Sequence, residues 1–184
     1  MDEGEFIAAV LRNPVNCEIL ERMPALGLSD VWLVSGALFQ SAWNTLSVRA
    51  PDYGVKDYDV FYYDPDTSWN AEDIAIKRAA AVFGDLAASI EIRNQARVHL
   101  WFETKFGEAY APLGSAAQAL ERFVSPLFAV GVRLESDGRL RVEAPFGLAD
   151  LFALRLRRNP RRRIRGFERI AADIVRRWPE LSVE

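Results

Sequence analysis

With 184 residues, half of them hydrophobic and 27% charged, the chain has the length and composition of one well-cored globular domain, which sets aside fibrous and disordered classes. A single cysteine, Cys17, excludes an internal disulfide framework, the acidic start Met-Asp-Glu-Gly-Glu lacks a signal peptide's layout, and no apolar run reaches the length of a membrane span, so a cytoplasmic location is expected. The net charge of -3 neither demands nor forbids a polyanionic partner, but acids dominate the first half while arginines crowd the stretch beyond Leu154.

Phe6-Ile7 and Val10-Leu11 have helical spacing, and Asn13-Pro14 ends that helix and begins a second one, which closes near Gly27. Cys17 lies on the apolar side of the second helix and reads as a small buried hydrophobe. Asp30 to Ser35 is a short apolar run that periodicity alone leaves open between strand and helix start. Leu38, Phe39, Ala42, Trp43 and Leu46 form a broad apolar helix face just after Ser35-Gly36. Pro51 and Gly54 mark 48–55 as a loop, and Asp57 to Tyr63, rich in aromatic and β-branched residues, reads as a strand.

A helix capped by Asn70 is expected to run to about Gly84, followed by a strand over Leu86 to Ile92 with Glu91 and Arg93 on one face. Asn94 to Phe106 alternates as a strand would, yet its length and terminal Gly107 favour a helix. Ser115 caps a short helix through Phe123, and Ser-Asp-Gly joins Val130–Glu135 to Arg139–Glu143 as a hairpin. A helix is expected over Leu148 to Arg158, broken at Asn159-Pro160, and a last amphipathic helix reaches Trp178-Pro179. The pattern suits one α/β or α+β domain with a helical tail.

Chemistry concentrates in two places. A glycine turn entering a helix, as at Ser35-Gly36, can hold a phosphate, although such a glycine also serves simply to relieve a turn. Alternate strand residues face one side, so Asp57 and Asp59 point together, and a cation such as magnesium relieves their mutual repulsion. Two solvated acids beside Lys56 are the plain alternative, since the Asp-x-Asp pattern is short and common. Glu91, on the next strand, is a third acid within reach of such a metal, or a surface partner of Arg93. Asn94 and Arg97 are candidates for touching a phosphate or base, with Glu103 an alternative partner for Arg97. His99 is the only histidine, which excludes a multi-histidine metal site. Tyr58, Phe61, Tyr62, Tyr63, Trp69 and Trp101 offer a stacking surface, with core packing the default for most. The arginines from 155 to 165 either meet nucleic-acid phosphates or pair with the acidic N-terminal half; no aromatic residue interleaves their densest part, which favours pairing.

The order of glycine turn, helix, loop, Asp-x-Asp strand and later acidic strand resembles the polymerase β-like nucleotidyltransferase superfamily. The likeness extends to an uncharacterised bacterial nucleotidyltransferase-like family through Lys56–Asp64, Arg93–His99, Gly131–Leu134 and Pro145–Phe152. It implies an α+β nucleotidyltransferase fold, a small mixed sheet flanked by helices with a helical C-terminal tail, divided into a cap (1–28), a core (29–146) and C-terminal helices (147–184) within one compact unit. It further implies that Asp57, Asp59 and Glu91 bind magnesium or manganese, with Glu91 also available as a base. Ser35 and Gly36 would contact a nucleoside triphosphate, whose nucleoside monophosphate passes to an unknown hydroxyl acceptor: a small molecule, a protein or RNA. Gly36 is followed by Ala37 where the superfamily has Ser or Gly, and the interval from Gly36 to Asp57 is longer than usual. The rival expectation is a non-enzymatic module of the same fold whose arginine tail holds nucleic acid or a protein. The arginine cluster is expected beside a C-terminal helix, apart from the carboxylates.

Overall fold

The computed structural model describes residues 2–162 and 165–184. Two capped helices open the chain. Helix α1 (Glu3–Val10) starts at a capping box, in which Asp2 accepts from the Glu5 amide and Glu5 reaches back to the Asp2 amide. Helix α2 (Pro14–Arg22) uses Asn13 as its cap and proline at its first position, where no hydrogen bond is lost. Gly27, at φ 59, turns the chain toward the sheet.

Strand β1 (Trp32–Val34) resolves the ambiguous 30–35 run and feeds helix α3 (Gly36–Leu46) through Ser35. Strand β2 (Tyr58–Tyr62) follows the 48–55 loop, then helix α4 (Trp69–Phe83) and strand β3 (Ile90–Asn94). Helix α4 is capped by Ser68, whose hydroxyl accepts from the Ala71 amide, and not by Asn70. The expected strand over 86–92 begins only at Ile90, because Gly84–Ser89 winds into a 3-10 turn. The 94–106 segment is two short helical pieces broken at Trp101, a 3-10 turn and helix α5 (Phe102–Phe106).

The hairpin forms as the Ser-Asp-Gly turn demands, from β4 (Gly131–Leu134) and β5 (Leu140–Glu143). Beyond it the expected helix over 148–158 is only one turn long, α6 (Ala149–Phe152). Leu154 then takes φ 50 and reverses the chain, while the buried Asp150 carboxylate gathers Arg155 and Arg157 at 2.9 and 2.7 Å. The residues so turned form β6 (Arg155–Leu156), which pairs in parallel with β7 (Ser182–Val183) after the last helix, α7 (Phe167–Arg177). Among the described residues no helix is long and apolar enough to cross a membrane.

The main sheet has the order β3-β2-β1-β4-β5. Only β2 and β3 run parallel, joined by the α4 crossover; the other neighbours are antiparallel. Its two faces differ. Leu33, Tyr58, Val60, Tyr62 and Ile92 point into a core that gathers residues from Phe6 to Leu181. Trp32 and Val34 point the other way, into a smaller cluster with Ala116, Leu120 and Ala129. That second face is only partly covered, and the polar members of β2 and β3 emerge on it.

Helix α3 is anchored from behind. The Trp43 ring is fully buried and donates its indole N–H to the Leu151 carbonyl at 3.2 Å. Trp178 packs edge-on to it at 5.4 Å and donates to the Asn44 side chain at 3.1 Å. Deleting either ring would cost about 3–5 kcal/mol in lost burial and cavity. The C-terminal segment thus fixes the helix whose opposite end carries the Ser35-Gly36 turn.

Candidate active site

The β1–α3 junction is strained. Ser35 sits at φ 54, ψ -113, a region that favours glycine, so the glycine-like conformation falls one residue before Gly36. Its amide donates to the Val130 carbonyl at 2.9 Å, and its carbonyl accepts from Leu38 and Phe39. Its hydroxyl does not cap the helix, so the first-turn amides of α3 gain no partner from it. One turn further on, Gln40 is buried, with its Oε1 unpartnered among the described residues. Its Nε2 stands 3.5 Å from where a Cβ on Gly36 would be, so the absent side chain leaves the amide facing the turn. Sequence reasoning passed over Gln40; the only signal was a polar residue four positions after Gly36 within an apolar face.

Register brings the carboxylates to this turn. Val34, the residue before Ser35, pairs with Asp59, and Asp59 pairs across the parallel β2–β3 ladder with Glu91. Val34, Asp59 and Glu91 therefore lie in one row across the partly covered face. Asp57 precedes β2 and is exposed, at the level where the β1 turn begins. Burial pushes the Asp59 carboxyl up to about 7, with Asp57 and then Glu91 adding repulsion and Arg93 opposing them. Glu91 is held by Arg93 on its own strand, Nε to Oε1 2.9 Å. Among the described residues no three acidic, histidine or cysteine side chains converge as a ready-made metal cage.

Beyond Asp59 and Glu91 the face opens into a cleft of about 260 Å³. Phe61, Phe123, Phe102 and Tyr110 form its walls, Trp101 its rim, and Arg93, Arg122 and Arg162 its cationic lining. Phe61 and Phe123 stack with rings nearly parallel at 6.1 Å, and Phe102 leans on Tyr110 at 4.6 Å. Burial raises the Tyr110 phenol's pKa against the pull of Arg122 and Arg162.

Of the proposed stacking residues, Phe61 and Trp101 reach this cleft, whereas Tyr58 and Tyr62 lie under the sheet in the main core. Trp69 is 80% exposed and stacks on Arg97 at 4.6 Å. The structure does not bring Asn94 and Arg97 to the carboxylates. The Asn94 side-chain Oδ1 accepts from the Ala96 and Asp64 backbone amides, and its Nδ2 donates back to the Asp64 carbonyl. Arg97 is buried beside Glu72 at 2.8 Å, not beside Glu103, and donates to the Thr67 carbonyl. Both side chains hold the connection from β2 to α4.

The arginine cluster is largely neutralised. Arg158 pairs with Glu168, Arg161 with Glu121 and Arg162 with Glu108, beside the Asp150 pairs already described. Arg163 lies outside the described residues. The acids come from the second half of the chain and not from the N-terminal half. Nor is the cluster wholly apart from the carboxylates, because Arg162 lines their cleft.

The five-stranded sheet, the strained turn into α3 and the acidic row beside it define a polymerase β-like nucleotidyltransferase fold. Residues 21–183 match the family described as nucleotidyltransferase, and the chain belongs to that family. A solved structure whose description reads "The NMR structure of the protein reveals a CCA-adding enzyme head domain" superposes with a TM-score of 0.77 at 23% identity, over 100% of this chain and 96% of that one. The two share a fold. No curated protein matches the sequence.

Proposed function

We propose that the protein is a magnesium-dependent nucleotidyltransferase that moves a nucleoside monophosphate from a nucleoside triphosphate to a hydroxyl acceptor. The observation that carries this reading is the row Val34–Asp59–Glu91, which sets two acids beside the turn at the head of α3 on the partly covered face of the sheet. In this reading the head of α3 and the Gln40 side-chain amide would receive the β- and γ-phosphates. Asp57, Asp59 and Glu91 form an all-oxygen donor set suited to magnesium or manganese. Their fit to a cation rests on the pairing of Asp59 with Glu91 across the ladder, where burial first, and then the like charges of Asp57 and Glu91, raise the Asp59 carboxyl. Bound there, the ion would neutralise charge on the reacting phosphate oxygens.

The chain's own residues do the remainder. A carboxylate, Glu91 or Asp59, takes the proton from the acceptor hydroxyl. The oxygen so freed attacks the α-phosphorus in line, the bond from the α-phosphorus to the bridging oxygen breaks, and pyrophosphate leaves toward α3. Positioning supplies most of the rate.

Two measurements test the reading. Each nucleoside triphosphate with magnesium should raise the melting temperature in proportion to how well it fits, and chelator should abolish the shift. Pyrophosphate release should require metal and vanish in Asp57→Asn with Asp59→Asn. A shift that persists with chelator, or in the double variant, means that these acids do not hold the metal.

A further inference from the structure

We propose that the aromatic and arginine-lined cleft beyond Glu91 is the acceptor subsite, and that it takes one nucleotide unit. A base would lie against the aromatic walls, a phosphate would meet Arg122, and a ribose hydroxyl would face the carboxylates. The proposal rests on the transfer reading above and names the acceptor class for the same site.

Direction along the sheet assigns the cleft to the acceptor. Asp59 and Phe61 step along β2 on this face at about 3.3 Å per residue, with Asp57 just ahead of the strand. Because Val34 faces Asp59 and Trp32 faces Phe61, the Ser35-Gly36 turn lies toward the Asp57 end and the cleft toward the Phe61 end. The acids sit between them. In-line displacement brings the attacking oxygen from the side opposite the leaving group. With pyrophosphate leaving toward the head of α3, the hydroxyl must arrive from the Phe61 end, which is the cleft.

The lining defines the ligand. The Phe61–Phe123 and Phe102–Tyr110 pairs present flat apolar faces to a ring. Arg122 lies over the Tyr110 ring at 5.4 Å and pairs with no carboxylate among the described residues, whereas Arg93 and Arg162 are held by Glu91 and Glu108. A cation left without an acid in an aromatic cleft is suited to an anionic group beside a ring. At about 260 Å³ the space falls below the roughly 300–1,000 Å³ of a typical small-molecule site, so it suits one ring system and its sugar. Transfer to a ribose hydroxyl held there would make a phosphodiester bond, with pyrophosphate released and the hydroxyl proton left on a carboxylate.

A free nucleoside monophosphate and the last nucleotide of an RNA strand share this chemistry. Calorimetric titration in chelator, with adenosine and uridine monophosphates and with a short single-stranded RNA ending in a 3′-hydroxyl, separates them. Both should bind without metal if the cleft takes single nucleotides; RNA binding much more tightly identifies a strand end. Arg122→Ala should weaken either about tenfold or more, with partial recovery in Arg122→Lys. The melting shift given by magnesium and triphosphate should stay at the wild-type value in both variants. If that shift falls together with monophosphate binding, the cleft holds the donor and the proposal fails. It fails alone if neither probe binds, or if Arg122→Ala changes nothing, while the triphosphate shift is intact. A wild type that binds the probes but shows no triphosphate shift removes the transfer reading and the acceptor role with it.

Discussion

Asp59 concentrates the conflict between stability and chemistry in one side chain. Its carboxyl is raised to about 7 in the folded chain by burial and by Asp57 and Glu91, from an ordinary value of 3.8. Between those two pH values the folded state binds the proton and the unfolded state does not, so stability falls as pH rises through that window. The favourable contribution is complete below about 4 and lost above about 7. At roughly 1.4 kcal/mol per pH unit, the conflict amounts to at most about 4 kcal/mol at pH 8. Asp59→Asn should therefore melt higher than the wild type at pH 8, differ little from it at pH 4, and release no pyrophosphate. Thermal melts at the two pH values check this; a variant less stable at pH 8 would show that Asp59 carries no such strain. Metal and proton compete for the same oxygens, so magnesium with triphosphate should bind more weakly as pH drops below about 7.

At the scale of elements, the site depends on contacts far from its chemistry. Gly54, at φ 75, approaches the Trp178 ring so closely that an added Cβ would lie 2.5 Å from it. Gly54→Ala must move the loop or the ring, and Trp178 anchors α3 through Asn44. A loss of about 1–3 kcal/mol is expected from overpacking and the left-handed backbone together, measured by denaturant unfolding. The elements themselves were legible where one period dominated: α3, the β2 alternation and the Ser-Asp-Gly hairpin all follow from local pattern. The boundaries that differed have tertiary causes. Ser68 outcompetes Asn70 as cap, and the 148–158 helix gives way because Asp150 collects two arginines and Leu154 reverses the chain. Alternation placed Asp59 on a face of β2, and only the observed register could show that Val34 and Glu91 share its row. Of the cleft's walls only Phe61 was named from sequence as a stacking residue. Phe102 opens the one-turn α5, Arg122 ends a 3-10 turn, and Tyr110 and Phe123 lie in connections, so no short-range pattern brings them together.

For the molecule as a whole, what matters is that the described arginines from 155 to 162 are already paired with acids. Arg155, Arg157, Arg158, Arg161 and Arg162 each face a carboxylate, so holding a nucleic-acid phosphate would first require breaking an ion pair. Arg122 needs no such exchange. The two arrangements differ in salt dependence, since each phosphate neutralised on a single strand adds about -0.7 to the slope of log affinity against log salt. Five available arginines would give a slope near -3.5, whereas Arg122 acting alone gives a slope near -0.7. The shallow slope is expected for single-stranded RNA titrated between low and physiological salt, and Arg122→Ala should flatten it further. A slope near the steeper value that is unmoved by Arg122→Ala would mean that the tail opens its ion pairs to bind nucleic acid. That result would restore the binding-module reading and place the strand outside the cleft.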